Sequence, residues 1–169
     1  MNILVNDANI LIDLIKLDFM DAFMKLEARL MTTDFVLNEL DPDQQKLLGP
    51  YLENHSLTSI STESVDDFQG IYQLLGAHTG LSFEDCSVWY YSIQLAATLV
   101  TGDGKLRKTA RKSGVEVRGI IFLFDEMLAQ GVITKQLAIE KMQALRALNP
   151  RLPQQEMERR LKQWHDGEA

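Results

Sequence analysis

Hydrophobic and polar positions divide the chain into short apolar runs separated by helical stripes. Ile3 to Val5 is a continuous apolar run that reads as a fully buried strand, closed by the turn-favouring Asn6 and Asp7. From Ala8 to Met24, Ile10, Leu11, Leu14, Ile15, Leu17, Phe23 and Met24 recur at helical spacing with a break near Asp18, predicting two consecutive helices. A strand at Leu30 to Thr33 leads into a short helix over Phe35 to Leu40, and Pro42 starts another helix through Leu47 and Leu48. Leu57 to Ile60 reads as extended, and Glu63 to Leu75 as an amphipathic helix stopped by Gly76 and Gly80. Ser82-Phe-Glu-Asp85 opens a helix to Ala97, and Thr98 to Thr101 is a buried strand ending in Gly102-Asp103-Gly104. A basic helix from Lys105 to Lys112, a turn at Gly114, a strand at Val115 to Arg118 and a helix from Ile120 to Leu128 follow. Beyond Gly131, Thr134 to Leu148 and Gln154 to Trp164 are the last two helices, separated by Asn149-Pro150 and Pro153.

This alternation predicts a three-layer α/β/α fold with a central, mostly parallel sheet and a C-terminal helical extension. Residues 1–130 form the expected domain; residues 131–169 form the extension, packed on the same domain or on a second subunit through Met157, Leu161 and Trp164. A chain of 169 residues with 46% hydrophobic content buries one proper core. Twenty-four acidic against 17 basic residues, a net charge of −7, mean that any polyanion must be met by a local basic patch. The single Cys86 rules out an internal disulfide framework and reads as a small buried hydrophobe. Met1 runs into an apolar strand without a basic start or cleavage site, so no export is expected. Charges at Asp13, Lys16, Asp18 and Asp21 keep the first apolar region below the ~18 to 20 residues that span a bilayer. A soluble, cytoplasmic protein is the expectation.

Chemistry enters through the carboxylates. Asp7 and Asp103 both follow predicted strands, and ligands bind outside the carboxyl ends of strands in open parallel sheets. Each acid also has a local role available. Asp7 can cap the next helix, Asp85 forms a near capping box with Ser82, and Asp103 sits between glycines in a turn-like sequence. Glu39 taken alone is an exposed glutamate on a short helix.

Taken in order, however, four segments form a pattern: Asn-Asp-Ala-Asn-Ile-Leu-Ile-Asp at 6–13, Val-Leu-Asn-Glu-Leu at 36–40, Leu-Ser-Phe-Glu-Asp at 81–85 and Leu-Val-Thr-Gly-Asp-Gly-Lys-Leu-Arg at 99–107. Across roughly Met1 to Phe124 this resembles the PIN-domain family, including the VapC-like toxins of toxin–antitoxin pairs. The resemblance implies a PIN-like nuclease domain in which Asp7, Glu39, Asp85 and Asp103 are the catalytic and metal-binding acids. It implies RNA as substrate, cut to a 5′-phosphate and a 3′-hydroxyl, with an antitoxin protein and a homodimer as candidate partners. Asn9, Ser82 and Thr101 are the expected polar supports around the acids.

Clustered carboxylates suit hard ions such as Mg²⁺ or Mn²⁺. His55, His78 and His165 are isolated from one another and show no zinc-ligand spacing. Lys105, Lys108 and Lys112 share one face of the basic helix and are the candidate RNA-backbone contacts, against the alternative of a solvated face. Trp89, Tyr90 and Tyr91 offer base stacking or, more simply, core packing. Phe19, Met20, Phe23 and Met24 make an apolar surface for core burial or for a partner. Two rival readings are a PIN-like scaffold that binds RNA or protein without cutting, and a haloacid-dehalogenase-like phosphatase suggested by Gly-Asp-Gly at 102–104. The phosphatase reading lacks a general acid beside Asp7, because position 9 is asparagine.

Overall fold

Five short strands pair side by side, and every pairing is parallel. In the computed structural model, which describes residues 1–167, the strands are β1 (Ile3–Asn6), β2 (Arg29–Thr33), β3 (Leu57–Ile60), β4 (Thr98–Val100) and β5 (Val117–Arg118), in the spatial order β3-β2-β1-β4-β5. The helices are α1 (Ala8–Lys16), α2 (Met20–Phe23), α3 (Asp34–Glu39), α4 (Pro42–Glu53), α5 (Val65–Ala77), α6 (Phe83–Gln94), α7 (Gly104–Lys112), α8 (Ile120–Ala129), α9 (Lys135–Leu148) and α10 (Gln154–Asp166). Parallel strands need crossover connections, and these helices supply them on both faces of the sheet, giving the three-layer α/β/α arrangement. The central strand β1 is buried almost throughout, which is why it reads as an unbroken apolar run.

Helix starts follow capping chemistry. Thr33 caps α3, Asp41 with Gln44 makes a capping box on α4 before Pro42, Ser64 caps α5, and Ser82 with Asp85 makes a second capping box on α6. Helix ends depart from the sequence reading. α5 runs through Gly76 to Ala77, because an isolated glycine weakens a helix without stopping it; the chain turns at Gly80, where φ is +87°. α6 ends at Gln94 rather than Ala97, since Ala96 takes a left-handed φ of +49° and the Ala97 amide donates back to the Ser92 carbonyl at 2.9 Å. The strand expected from Val115 is shorter, because the Val115 amide is held by the Ala110 carbonyl of α7 at 3.3 Å.

The apolar surface of α1 and α2 is covered by the chain itself. Phe19 packs against Phe124 of α8 at 5.3 Å between ring centroids, and Phe124 stacks on Trp164 of α10 at 6.1 Å. Lys141 of α9 donates to the Leu17 carbonyl at 2.7 Å and places its ammonium over the Phe19 ring. Asn149 donates to the buried Asp13 carboxylate at 3.2 Å. Phe19, Met20 and Phe23 are therefore core residues, and residues 135–166 pack as two helices on the same body. The last two residues of the expected 131–169 segment lie outside the described residues. Cys86 is buried, as are Trp89 and Tyr91, and these three serve as packing residues.

Replacing Trp164 with alanine removes a large buried ring that closes the cover over Phe124. Urea unfolding of Trp164→Ala is expected to show a loss of about 3–5 kcal/mol; a loss below about 1 kcal/mol would mean that α10 is not docked there.

Candidate active site

With all strands parallel, their carboxyl ends share one edge of the sheet. From β1 the chain first winds through β2 to β3, then returns across β1 to β4 and β5, so the direction reverses between β1 and β4. That reversal leaves the crevice in which open parallel sheets bind ligands. Asp7 leaves β1 on one side of it, and Thr101 to Asp103 leave β4 on the other.

Asp7 is only 3% exposed, yet its carboxylate is well supplied with donors. Oδ1 accepts from the Ala8 amide at 2.8 Å; Oδ2 accepts from the Thr101 hydroxyl at 2.7 Å and from Asn9 Nδ2 at 3.2 Å. The same Thr101 oxygen accepts from the Asp103 amide at 3.1 Å, so one hydroxyl bridges the first acid to the backbone of the fourth. Asn9 closes the ring, its Oδ1 accepting from the Gly102 amide at 2.8 Å. Asp103 caps α7, accepting from the Leu106 amide at 2.8 Å through one oxygen.

Glu39 ends α3 and Asp85 lies in the first turn of α6, both near enough to Asp7 for the charges to act on one another. The Ser87 hydroxyl donates to the Glu84 carbonyl at 2.7 Å, so the Thr33 hydroxyl is the donor in its 2.9 Å bond to Ser87, tying the end of β2 to α6. Phe35 of α3 packs edge-on against Phe83 of α6, with centroids 4.7 Å apart, which sets the helix of Glu39 against the helix of Asp85. Asp85 accepts from the Ser82 amide at 2.9 Å, and its own amide donates to Ser82 Oγ at 3.0 Å. The capping roles open to Asp7 and Asp85 at the level of sequence are thus realised, and Asp103, read there as a turn residue, is instead the extended N-cap of α7.

The acids feel one another. Burial, and then the charges of Asp85 and Asp103, push the Asp7 carboxyl up to about 6 against the pull of its hydrogen bonds. Partial burial raises Asp85, with Asp103 and Glu84 adding to it. Glu39 is exposed overall, but partial withdrawal from water and the charges of Glu84, Asp7 and Asp85 raise its proton affinity too. Glu84 is a member of this acidic group that the sequence reading passes over; the Glu-Asp doublet at the start of α6 is the available signal. Among the described residues, no three acidic, histidine or cysteine side chains close into a ligand set around one point. Capping bonds hold three of the acids from behind, and like charges resist closer approach. The donor chemistry nevertheless fits a hard cation, being all oxygen. His78 instead packs on Trp89, His55 sits in a left-handed turn after α4, and His165 lies near the end of α10.

Lys105, Lys108 and Lys112 are exposed along α7 without an ion pair among the described residues, and Lys105 reaches back over Gly80. Trp89 donates to Ser113, Tyr90 to Asp67, and Tyr91 bonds Thr62, so all three aromatics brace helices and loops.

Residues 3–166 match a family model described as a PIN domain. The chain belongs to the PIN-domain family. No curated relative matches it. Membership assigns a nuclease-type fold, in a family whose members are generally nucleases that act on nucleic acid with divalent metal ions. The match takes in α9 and α10, which the motif-based likeness, ending near Phe124, did not reach. No helix among the described residues is long and apolar enough to cross a membrane.

A raised carboxyl binds its proton more tightly in the folded state. The stability contributed by Asp7 is therefore complete below its unfolded value of 3.8 and is lost as pH rises through about 6, an effect on the order of 3 kcal/mol. Metal-free protein is expected to lose stability as pH rises from about 4 to about 6 in thermal melts. Asp7→Asn should abolish that segment of the profile, and millimolar Mn²⁺ at pH 7 should raise Tm in the parent more than in the variant. A profile unchanged by Asp7→Asn would refute this account of the site.

Proposed function

We propose that this chain is a divalent-metal-dependent endoribonuclease, with Asp7, Glu39, Asp85 and Asp103 holding Mg²⁺ or Mn²⁺ and Asn9, Ser82 and Thr101 orienting them. The observation that carries the reading is the buried Asp7, held by Thr101 and Asn9 at the β1/β4 reversal and raised to about 6 by burial and by the neighbouring acids. A buried carboxylate among like charges is a group whose charged form lacks a cation.

Held by these acids, a divalent ion would supply Lewis-acid chemistry, lowering the pKa of a bound water and offsetting charge on the phosphate. The chain's own residues do the positioning. Thr101 and Ala8 fix the Asp7 carboxylate at the β1/β4 reversal, and their hydrogen bonds favour the ionised form a ligand needs. Asp103 has one oxygen engaged in capping α7, which leaves the other for the crevice. Lys105, Lys108 and Lys112 hold backbone phosphates along α7. Attack of water on phosphorus breaks the bond to the 3′ oxygen, which leaves as a hydroxyl after taking a proton, and the phosphate stays on the 5′ side.

The second reading, a PIN-like scaffold that binds without cutting, is favoured by the open spacing of the acids. A toxin role with an antitoxin and a homodimer rests on the likeness to VapC-like proteins; the apolar face of α1 and α2, offered by the sequence as a partner surface, is occupied by α8 and α9.

Single-stranded RNA incubated with the protein and Mn²⁺ is expected to be cut to 5′-phosphate products. EDTA should stop the reaction, and Asp7→Asn should slow it at least about a hundredfold. Cutting that survives both treatments would exclude these acids, and binding without cutting would establish the scaffold.

A further inference from the structure

A second feature lies along the same edge of the sheet, one strand further out. At the carboxyl ends of β4 and β5 is a cavity of about 390 Å³, within the ~300–1,000 Å³ range of ligand sites, lined by Gly102, Arg107, Arg111, Arg118, the first turn of α8 and Arg160. We propose that this cavity is a phosphate subsite that holds the nucleic-acid backbone beside the bond being cut. The proposal rests on the nucleic-acid reading given above.

Charge is the first argument. Four guanidinium groups line the cavity against two carboxylates, Asp125 and Glu156, in a chain whose net charge is −7. Both carboxylates are already engaged by Arg160, which pairs with Asp125 at 3.0 Å and with Glu156 at 3.5 Å. Arg118 pairs with Glu116 at 3.1 Å. Arg107 and Arg111 are left without a carboxylate among the described residues. Arg111 donates to the Val117 carbonyl at 3.2 Å, and Arg107 makes no side-chain hydrogen bond to any described residue. Arg107 is half-buried, and desolvation together with Arg111 lowers its hold on its proton. Two neighbouring guanidiniums, one of them partly desolvated with its planar fork unspent, make a receptor for an oxyanion.

The backbone supplies the second argument. Gly119 is the N-cap of the ten-residue helix α8, and no side chain caps that helix, although Ser, Thr or Asp caps most others in the chain. The first amides of a helix lack internal partners and attract anions, and here Ile120, Ile121 and Phe122 line the cavity. A Cβ on Gly119 would stand 3.0 Å from Arg107 Nη1, so the missing side chain lets the guanidinium lie along the helix end.

Continuity with the acids is the third. Gly102 belongs to the cavity wall and also to the turn between Thr101, which donates to Asp7, and Asp103. It is exposed and carries no side chain to obstruct a strand passing from one site to the other. The pairing of a cation-demanding crevice with an anion-demanding cavity sets the register of the nucleic acid: one phosphodiester over the acids, a neighbouring one over the arginines.

The test is equilibrium binding of a fluorescently labelled single-stranded oligoribonucleotide to full-length protein carrying Asp7→Asn, in EDTA, across a salt series. Adding Arg107→Gln with Arg111→Gln should weaken binding at least about tenfold and make the salt dependence shallower by roughly 0.7 for each phosphate no longer neutralised. Lys46→Gln with Lys162→Gln, an equal charge change on exposed side chains outside the cavity, should do neither. Melting curves report whether each variant folds. Equal affinity and slope in the arginine variant and its parent would overturn the subsite even if the wild-type chain cuts RNA. An equal loss in the lysine control, or no RNA binding by the parent, would overturn it as well. Loss confined to the arginine variant would support the subsite even if no cutting is found, and the nuclease reading alone would then fall.

Discussion

The arrangement of the active edge depends on one bond between neighbouring strands: the Thr101 hydroxyl of the β4 end donating to the buried Asp7 carboxylate of the β1 end. A carboxylate withdrawn from water is costly unless donors or cations meet it. Here three donors meet it, and they come from both sides of the chain reversal. The bond therefore fixes the width of the crevice, the direction of Asp7 and, through the amide of Asp103, the start of α7 with its two faces of positive charge. The remaining tension, a carboxyl with a raised proton affinity among like charges, is the property that a divalent ion would relieve.

Much of the fold was legible because parallel sheets buried on both faces write plain signals. Ile3 to Val5 and Leu99-Val100 appear as apolar runs because little water reaches either face of the inner strands, and Ser82 marks the start of α6 because its side chain satisfies a specific amide. Ends were harder. The Leu95-Ala96-Ala97 stretch carries no glycine, so a left-handed stop at Ala96 leaves no mark in the sequence. Gly76 looks like a stop and is not one.

The candidate site was legible in part. Asp7 and Asp103 stand out by following strands, but their spacing says nothing of the Thr101 bridge, which spans 94 residues of chain. Glu39 had no signal of its own, and only its family position picked it out. The basic helix was visible as a cluster, yet splitting it into a lysine face and an arginine face requires knowing that Leu106 and Ala110 are buried against the sheet and that β5 lies alongside. Which helices would cover Phe19 and Phe23 was likewise beyond periodicity, since an apolar stripe states that it must be buried and not by what.

That cover has a bearing on how the molecule is made. Phe19 precedes its neighbours Phe124 and Lys141 by more than a hundred residues of chain. At ~5–20 residues per second, the sticky face of the first helices stays bare for roughly 5–20 s behind the ribosome. Until that stretch of chain is made the face has no cover of its own, and closure waits for α8 and α9 to dock on α1 and α2.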